Sequence, residues 1–350
     1  MAIIQSDPEY PNPSRRAVLK VLAALLAAGG MRQLSAEPTT VRINIPGPLL
    51  MPFIPVELIA KLGIDSQCGA HLGVRYLPSG VLAVDDMLAG NADFAGAGFP
   101  VLPKFLEKDR PVVAIACLTK GVQPYSIVVR ADLADSIHSI ADLRGRTLGV
   151  HIGSATIKTY LQAIAELWVS SHGVGVNQVR WAQVVQNYEG VYGAMASETV
   201  DAVFVEEPYT TSLVRSGLGR VLANLDDPEQ STRIAGRHHT RAVIVTTPAR
   251  LRADPMRMRL MIQMLRRTLQ WVGAATPAQI IARLEIADAG QRADIADVLT
   301  RRLARYSPDG HFSAAEIEAT REFLRAIGTK LPAGKDIRDL IDDRWLRASD

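Results

Sequence analysis

The sequence predicts an α/β protein of two βαβ lobes, joined by a hinge and followed by a helical C-terminal tail. Two segments, residues 74–94 and 179–204, share one order of strand, turn, helix and strand. The chain has 350 residues, which is too long for one ordinary core. Residues 248–347 carry helical patterns separated by Pro and Gly. Two units of like construction predict two lobes facing each other across a cleft.

Residues 1–36 are predicted to be an export signal rather than part of the fold. Arg15 and Arg16 precede an apolar run over residues 21–28, and Ser35 and Ala36 offer a small-residue cleavage point. The paired arginines fit the twin-arginine type, and the general route stays open. Either route predicts a periplasmic protein. A disordered tail followed by a buried helix is the alternative.

Three turns in the first half of the chain place small residues between a predicted strand and a predicted helix. The strands cover residues 41–45, 74–76 and 92–97. Glycine lets a ligand or a neighbouring helix approach the backbone closely. The turn residues are Gly47 and Pro48, Ser79 and Gly80, and Gly98 and Phe99.

The turn at Gly153 is the strongest single candidate for a ligand contact. A predicted strand over residues 147–152 stops there, and a helical pattern opens with Ser154, Ala155 and Thr156. The first N–H groups of a helix lack partners and carry about half a positive charge, so a polar ligand can bind them. The alternative is that Ser154 merely caps the helix.

These elements predict three parts of the chain. The export signal covers residues 1–36, the first lobe covers residues 41–130 and 240–350 with the C-terminal helices, and the second lobe covers residues 131–239. The chain is expected to cross between the lobes near residues 129–133 and again near residues 237–245, and the tail is expected to pack on the first lobe.

An ordered set of motifs resembles the nitrate/sulfonate/taurine-binding family of solute-binding proteins, which includes binders of thiamine-pyrimidine precursors. The motifs cover residues 88–94, 140–150, 153–154, 200–202 and 207–209. The resemblance implies a type II periplasmic-binding-protein-like fold. It also implies a monomeric periplasmic receptor that hands a small-molecule ligand to the permease and ATPase subunits of an ABC importer.

The resemblance also implies which residues contact the ligand. They come from the turns described above, from the segment that enters the second lobe, and from an acidic pair, while the repeated unit, rather than the resemblance, adds Tyr188 from its second turn. The set is Gly47, Pro48, Ser79, Gly80, Gly98, Phe99, Gln123, Ser126, Gly153, Ser154, Ala155, Thr156, Tyr188, Glu206 and Glu207.

Glu206 and Glu207 bear on the charge of the ligand. A carboxylate in the cleft repels a sulfonate and favours a ligand with a cationic or N–H edge. Neighbours on a strand point to opposite faces, so only one of the pair is expected to face inward. The alternative is that one of the pair points to solvent while the other ties down a helix start, and the charge of the ligand stays open.

Composition and spacing exclude several classes of function. The net charge of +3 is scattered, which predicts no nucleic-acid partner, and the histidines have no metal-ligand spacing. Cys68 and Cys117 are predicted to be separate buried thiols, although pairing stays open. No cofactor motif is complete, so no cofactor is predicted. An exported enzyme of the same fold, acting on a small heterocyclic or carboxylate substrate, is the alternative. A regulator's sensing domain would need a DNA-binding helix pair.

Overall fold

The computed structural model describes residues 37–121, 125–302 and 306–347. The predicted export signal and Gln123 lie outside the described residues. Within them, ten strands form two five-stranded mixed sheets, and the α/β class with two lobes is confirmed. The strands are β1 (Thr39–Pro46), β2 (Ala70–Leu77), β3 (Phe94–Gly98), β4 (Val113–Lys120), β5 (Ser126–Arg130), β6 (Thr147–His151), β7 (Arg180–Val184), β8 (Ala202–Val205), β9 (Gly219–Asn224) and β10 (Thr240–Thr246).

The two sheets have the same construction. The first has the order β2-β1-β3-β10-β4 and the second has the order β7-β6-β8-β5-β9. In each sheet the second strand, β1 or β6, has a parallel partner on both sides, and two antiparallel pairings complete the sheet. The two repeated units of the sequence occupy equivalent positions, as β2–β3 in the first sheet and β7–β8 in the second.

Helices connect and cover the strands. In chain order they are α1 (Ile54–Lys61), α2 (Ile64–Gln67), α3 (Gly80–Leu88), α4 (Leu102–Leu106), α5 (Tyr160–Ser171), α6 (Tyr188–Ala196), α7 (Tyr209–Arg215), α8 (Pro228–Ser231), α9 (Pro248–Ala253), α10 (Pro255–Ala274), α11 (Pro277–Leu284), α12 (Ala289–Arg302), α13 (Ala314–Ala326) and α14 (Arg344–Arg347). Within the described residues, none of these helices has the length and apolarity needed to span a membrane.

The first crossing between the lobes differs from the prediction. Strand β5 was expected in the first lobe, but it pairs with β8 and β9 in the second sheet. The chain therefore leaves the first sheet after Lys120 and enters the second at Ser126, several residues before the predicted crossing at 129–133. A fully apolar strand such as Ile127–Val129 fits the centre of either sheet equally well. The return lies between Asn224 and Thr240.

The helical tail contacts both lobes, which corrects the expectation that it packs on the first lobe alone. Helices α10 and α11 pack on α1 of the first lobe, whereas α12 packs on α7 of the second. Two ion pairs accompany the second contact, Arg215–Asp294 at 2.8 Å and Arg301–Glu207 at 3.4 Å. Helix α13 packs on β10, where the chain has just returned to the first lobe.

Candidate functional site

A small cavity lies between the two sheets, and both lobes line it. The first lobe contributes Pro46, Gly80, Gly98 and Arg241, while Tyr160, Gln186 and Glu206 come from the second lobe. We call this space the inner cavity. Its volume is about 40 Å³, which holds a few water molecules and no organic solute. The two lobes are therefore closed on each other.

Strand topology explains why these residues meet. Pro46 ends β1, Gly98 ends β3, and Glu206 directly follows β8. Parallel strands end at one edge of their sheet, and ligands of open α/β folds bind outside that edge. Arg241 reaches the same edge from the other direction, because β10 runs antiparallel to β3 and Ala242 pairs with Gly98.

An ion pair joins the lobes at the inner cavity. Arg241 and Glu206 are each 3% exposed, and the guanidinium donates from Nη2 to the Glu206 carboxylate. Arg241 also donates from Nε to the Tyr125 hydroxyl and from Nη1 to Thr119 Oγ1, the latter at 3.3 Å. Glu206 accepts a second hydrogen bond from Gln186 Nε2 at 2.9 Å. Burial raises the pKa of Glu206, while Arg241 and Gln186 act to lower it.

Tyr160 closes the space beside this ion pair. Its hydroxyl lies 2.7 Å from His239 Nε2, and His239 Nδ1 lies 2.9 Å from the Gly236 carbonyl. A carbonyl only accepts, so Nδ1 carries the proton and Nε2 accepts from the tyrosine. Burial lowers the pKa of His239 to about 4, so the ring is neutral at neutral pH. Phe323 of α13 stacks on the ring at 4.1 Å.

Glycine at position 98 permits the close approach of Tyr160. A Cβ at Gly98 would lie 2.7 Å from the Cβ of Tyr160. That separation is shorter than any side chain tolerates, and neither atom is the end of a flexible chain. The closed arrangement therefore requires Gly98.

A buried carboxyl group supports the loop between β1 and α1. Glu57 accepts a hydrogen bond from the Leu49 N–H at 2.8 Å and another from the Tyr76 hydroxyl at 3.0 Å. Leu49 has φ +57°, a left-handed conformation that is costly for leucine. Burial raises the pKa of Glu57 to about 7, although both hydrogen bonds and Lys61 act to lower it.

The two acidic neighbours have different partners. Glu206 faces the inner cavity, whereas Glu207 Oε2 accepts from the Thr211 N–H at 3.0 Å and Glu207 Oε1 pairs with Arg301. Both side chains are buried, so neither points to solvent. Glu207 thus ties down the start of α7, which the alternative expected of one member of the pair.

The structure brings only part of the predicted ligand set to the inner cavity. Gly80, Gly98 and Glu206 line it. Four others directly adjoin residues that line it, namely Gly47, Ser79, Phe99 and Glu207, and Pro48 lies two positions from both Pro46 and Leu50. Ser126 is buried at the start of β5, beside Val205, and its hydroxyl has no hydrogen-bond partner among the described residues. Ligand binding by these residues stays a prediction.

The helix after Gly153 begins later than predicted. Helix α5 starts at Tyr160, and Thr159 caps it by accepting from the Gln162 N–H. Ser154 forms a turn instead, because its hydroxyl accepts from the Ile157 N–H at 3.2 Å. Gly153, Ser154, Ala155 and Thr156 are therefore not a helix start, and Ala155 and Thr156 are exposed.

Two larger grooves flank the inner cavity. The first, of about 470 Å³, is lined by Thr156 and Lys158 and shares Tyr160 with the inner cavity. The second, of about 420 Å³, lies between α12 and the second lobe and is lined by Tyr188 and Asp294. Predicted residue Tyr188 thus faces the tail rather than the inner cavity.

Sequence reasoning missed the residues that shape the inner cavity most. Arg241 directly precedes an apolar run at the predicted return crossing. A cation at that position could have been predicted to line the space between the lobes. Tyr160 fits the apolar face of a helix, so its pattern indicates only core. Gln186 lies in the turn of the second repeated unit, beside the predicted Tyr188.

The family of the chain follows from its sequence. The model of the NMT1/THI5-like family matches residues 70–279, which is more than half of the 350 residues. The chain belongs to the NMT1/THI5-like family. This agrees with the resemblance to solute-binding proteins expected from the motifs. No curated protein sequence matches the chain.

Solved structures show the same fold for this NMT1/THI5-like chain. A protein of Bordetella bronchiseptica RB50 is similar with 19% identity and a TM-score of 0.76, over 89% of this chain and 96% of that one. The alkanesulfonate-binding protein SsuA of Xanthomonas axonopodis pv. citri has 18% identity and a TM-score of 0.65, over 88% and 99%. The nitrate-binding protein NrtA of Synechocystis PCC 6803 has 14% identity and a TM-score of 0.66, over 89% and 88%.

Metal binding finds no support at this site. Within the described residues, His, Cys, Asp and Glu do not form a group of three that could hold a metal ion. Both cysteines are free thiols, and Cys117 is buried as expected, whereas Cys68 is only partly buried.

Proposed function

We propose that this protein is the solute-binding component of an ABC importer, and that it binds a small organic solute between its two lobes. The inner cavity carries the proposal, since strand ends and turns of both lobes line it. A solute that contacts both lobes binds the closed state better than the open one and shifts the population toward closure. A permease with its ATPase would recognise that closed state.

Two solved structures with the same fold support the proposed solute-binding function. SsuA binds alkanesulfonates and NrtA binds nitrate, and both have the fold of this chain. The proposal places the protein in the periplasm as a monomer, exported through the signal predicted in residues 1–36. It describes a binder that needs no cofactor and performs no chemistry on its solute.

A titration series combined with small-angle scattering tests the proposal. Sulfonates, nitrate, carboxylates, amines, amino acids and pyrimidines are titrated into the protein by calorimetry. We expect one class of compound to bind. With that compound bound, the radius of gyration should be that of the closed state and no larger than that of the free protein. If no class binds, or if a compound is converted during the titration, the proposal fails.

A matched pair of variants locates the binding site. Val81 and Leu88 lie on the same helix α3, and Val81 lines the inner cavity, whereas Leu88 lines neither that cavity nor the two flanking grooves. We expect Val81→Phe to fill the cavity and lower the affinity at least tenfold, while Leu88→Phe leaves it unchanged. Circular dichroism checks that both variants fold. Equal affinities in the two folded variants would place the solute elsewhere.

A further inference from the structure

The groove between α12 and the second lobe is large enough for a ligand of its own. Its volume of about 420 Å³ lies within the range of small-molecule sites, whereas the inner cavity measures about 40 Å³. Its lining residues belong to α6, α7 and α12 or directly adjoin these helices, and none of them lines the inner cavity. We call this space the tail groove. It is separate from the proposed solute site.

One wall of the tail groove is aromatic. Tyr188 and Tyr192 are one helical turn apart on α6, so their rings share a face of that helix, and both line the groove. The Tyr192 hydroxyl is satisfied, because it donates to the Ser212 carbonyl at 2.9 Å. The Tyr188 hydroxyl is buried and has no hydrogen-bond partner among the described residues. This hydroxyl is therefore available to a ligand.

The tail supplies carboxylates to the opposite wall. Asp288 directly precedes α12 and Asp294 lies on it, and Glu189 adds a third carboxylate from α6. Among the described residues that line the groove, Arg215 is the one cation. Three carboxylates against one guanidinium leave an excess of negative charge, which attracts a cation.

Asp294 has an acceptor that the protein leaves unused. Its side chain is only 3% exposed, and Oδ1 accepts no hydrogen bond within the described part of the chain. Arg215 Nη1 lies 2.8 Å from Oδ1, but its N–H bonds are not aimed at this oxygen, and Nη1 donates to the Gly290 carbonyl at 3.3 Å. Burial raises the pKa of Asp294 although Arg215 acts to lower it. The ion pair thus compensates the buried carboxylate only in part.

The same negative charges act on the Tyr188 hydroxyl. Burial raises its pKa above the ordinary value, and Asp294, Glu207 and Asp288 add to the rise. A charge that opposes ionisation of the hydroxyl also attracts a cation to the same place. The unused hydroxyl and the unused carboxylate oxygen therefore favour one kind of ligand, a positively charged donor.

We propose that the tail groove binds an organic cation, a protonated alkylamine whose ammonium group donates to Asp294 Oδ1 and to the Tyr188 hydroxyl oxygen. An ammonium group carries three N–H donors, which is enough to serve both acceptors. The alkyl chain lies along the rings of Tyr188 and Tyr192, where its methylene groups are removed from water and the charge is attracted to the ring faces.

Matched compounds test this inference by calorimetry on the unmodified protein in low-salt buffer. Ethylamine, butylamine and 1,4-diaminobutane are the probes, and butanol is the neutral control with the same carbon chain as butylamine. We expect at least one amine to bind, and butanol to bind at least about tenfold more weakly than butylamine, because it lacks the charge. The amine should bind Val81→Phe equally well, since that substitution fills the inner cavity and not the tail groove.

A matched pair of charge variants assigns the amine to Asp294. Asp294→Asn keeps the shape and the oxygen but removes the charge, and we expect at least about tenfold weaker binding of the amine. Asp297→Asn is the control, because it removes the same charge from an exposed position on the same helix, outside the groove lining. It should keep the affinity of the unmodified protein.

Tyr188→Phe is a second variant that leaves the ion pair of the groove in place. We expect it to weaken the amine about fivefold, because one hydrogen bond to the ligand is lost. It should not lower the midpoint of urea unfolding, because the hydroxyl has no partner to lose in the free protein. A structural role of the hydroxyl would lower that midpoint.

Four results would overturn the inference and leave the proposed solute binding intact. They are the absence of binding by every amine, equal binding of butanol and butylamine, loss of amine binding in Val81→Phe, and equal amine affinities of the folded Asp294→Asn and Asp297→Asn variants. Failure of every solute at the inner cavity would overturn the proposed function without touching the tail groove.

Discussion

Replacing Glu57 by glutamine should change how the stability of the protein depends on pH. Burial raises the pKa of Glu57 from 4.5 to about 7. Below pH 4.5 the carboxyl group is protonated in both the folded and the unfolded chain, and it carries no penalty there. Between these values the unfolded chain ionises while the folded protein keeps the proton. The free energy of unfolding therefore falls as the pH rises through this window.

The expected magnitude follows from the two values. At about 1.4 kcal/mol for each pH unit, the shift costs the folded protein about 3 kcal/mol above pH 7. The substituted amide would keep an acceptor for the Leu49 N–H but would not ionise, so the penalty disappears. Its amide N–H would donate to the Tyr76 hydroxyl, so that hydrogen bond is kept with its direction reversed. Glu57→Gln should thus be about as stable near pH 5 and clearly more stable near pH 8.

Urea unfolding of both proteins at several pH values measures this difference. Four tryptophans report unfolding by fluorescence, and the midpoint and slope give the free energy. Glu322→Gln is the control, because it removes the same charge from an exposed position on α13. Parallel curves of stability against pH for the protein and Glu57→Gln would refute the reasoning.

Three glycine substitutions give further predictions, one of them as a control. Gly98→Ala should prevent full closure because its Cβ would lie 2.7 Å from that of Tyr160, and small-angle scattering should show a larger radius of gyration. Gly193→Ala is its control, with no atom within 4 Å of the new Cβ, and should stabilise α6 by up to about 1 kcal/mol. Gly236→Ala should destabilise by about 3 kcal/mol in urea unfolding, because φ is +65° and the Cβ would lie 2.2 Å from a backbone oxygen of α13. An unchanged midpoint there would contradict the packing.

The sequence predicted the fold where the pattern was local. Strand β6 begins at Thr147 as expected, and the two repeated units form equivalent parts of the two sheets. The predicted start of α5 at Ser154 was wrong because the side chains of Ser154 and Thr159 can both cap a helix. Only tertiary packing selects Thr159. The assignment of β5 to the first lobe was wrong because a fully apolar strand carries no signal for which strands it pairs with.

The candidate site was less predictable because its main contact is not local. Arg241 and Glu206 are separated by 35 positions and belong to different sheets. Neither residue has a periodicity that identifies a partner. The turns that bring glycines to the cavity were visible in the sequence, since Gly80 and Gly98 follow from strand and helix boundaries.

The contact of the tail with both lobes limits how the protein can open. Helix α11 stays on α1, whereas α12 is held to α7 by Arg215–Asp294. The four residues from Glu285 to Asp288 join these helices, so they form a side tether beside the two crossings. Parting the lobes must bend this joint or break the ion pair. The width of opening, and so the largest solute that can enter, is therefore set partly by a segment outside the cavity lining.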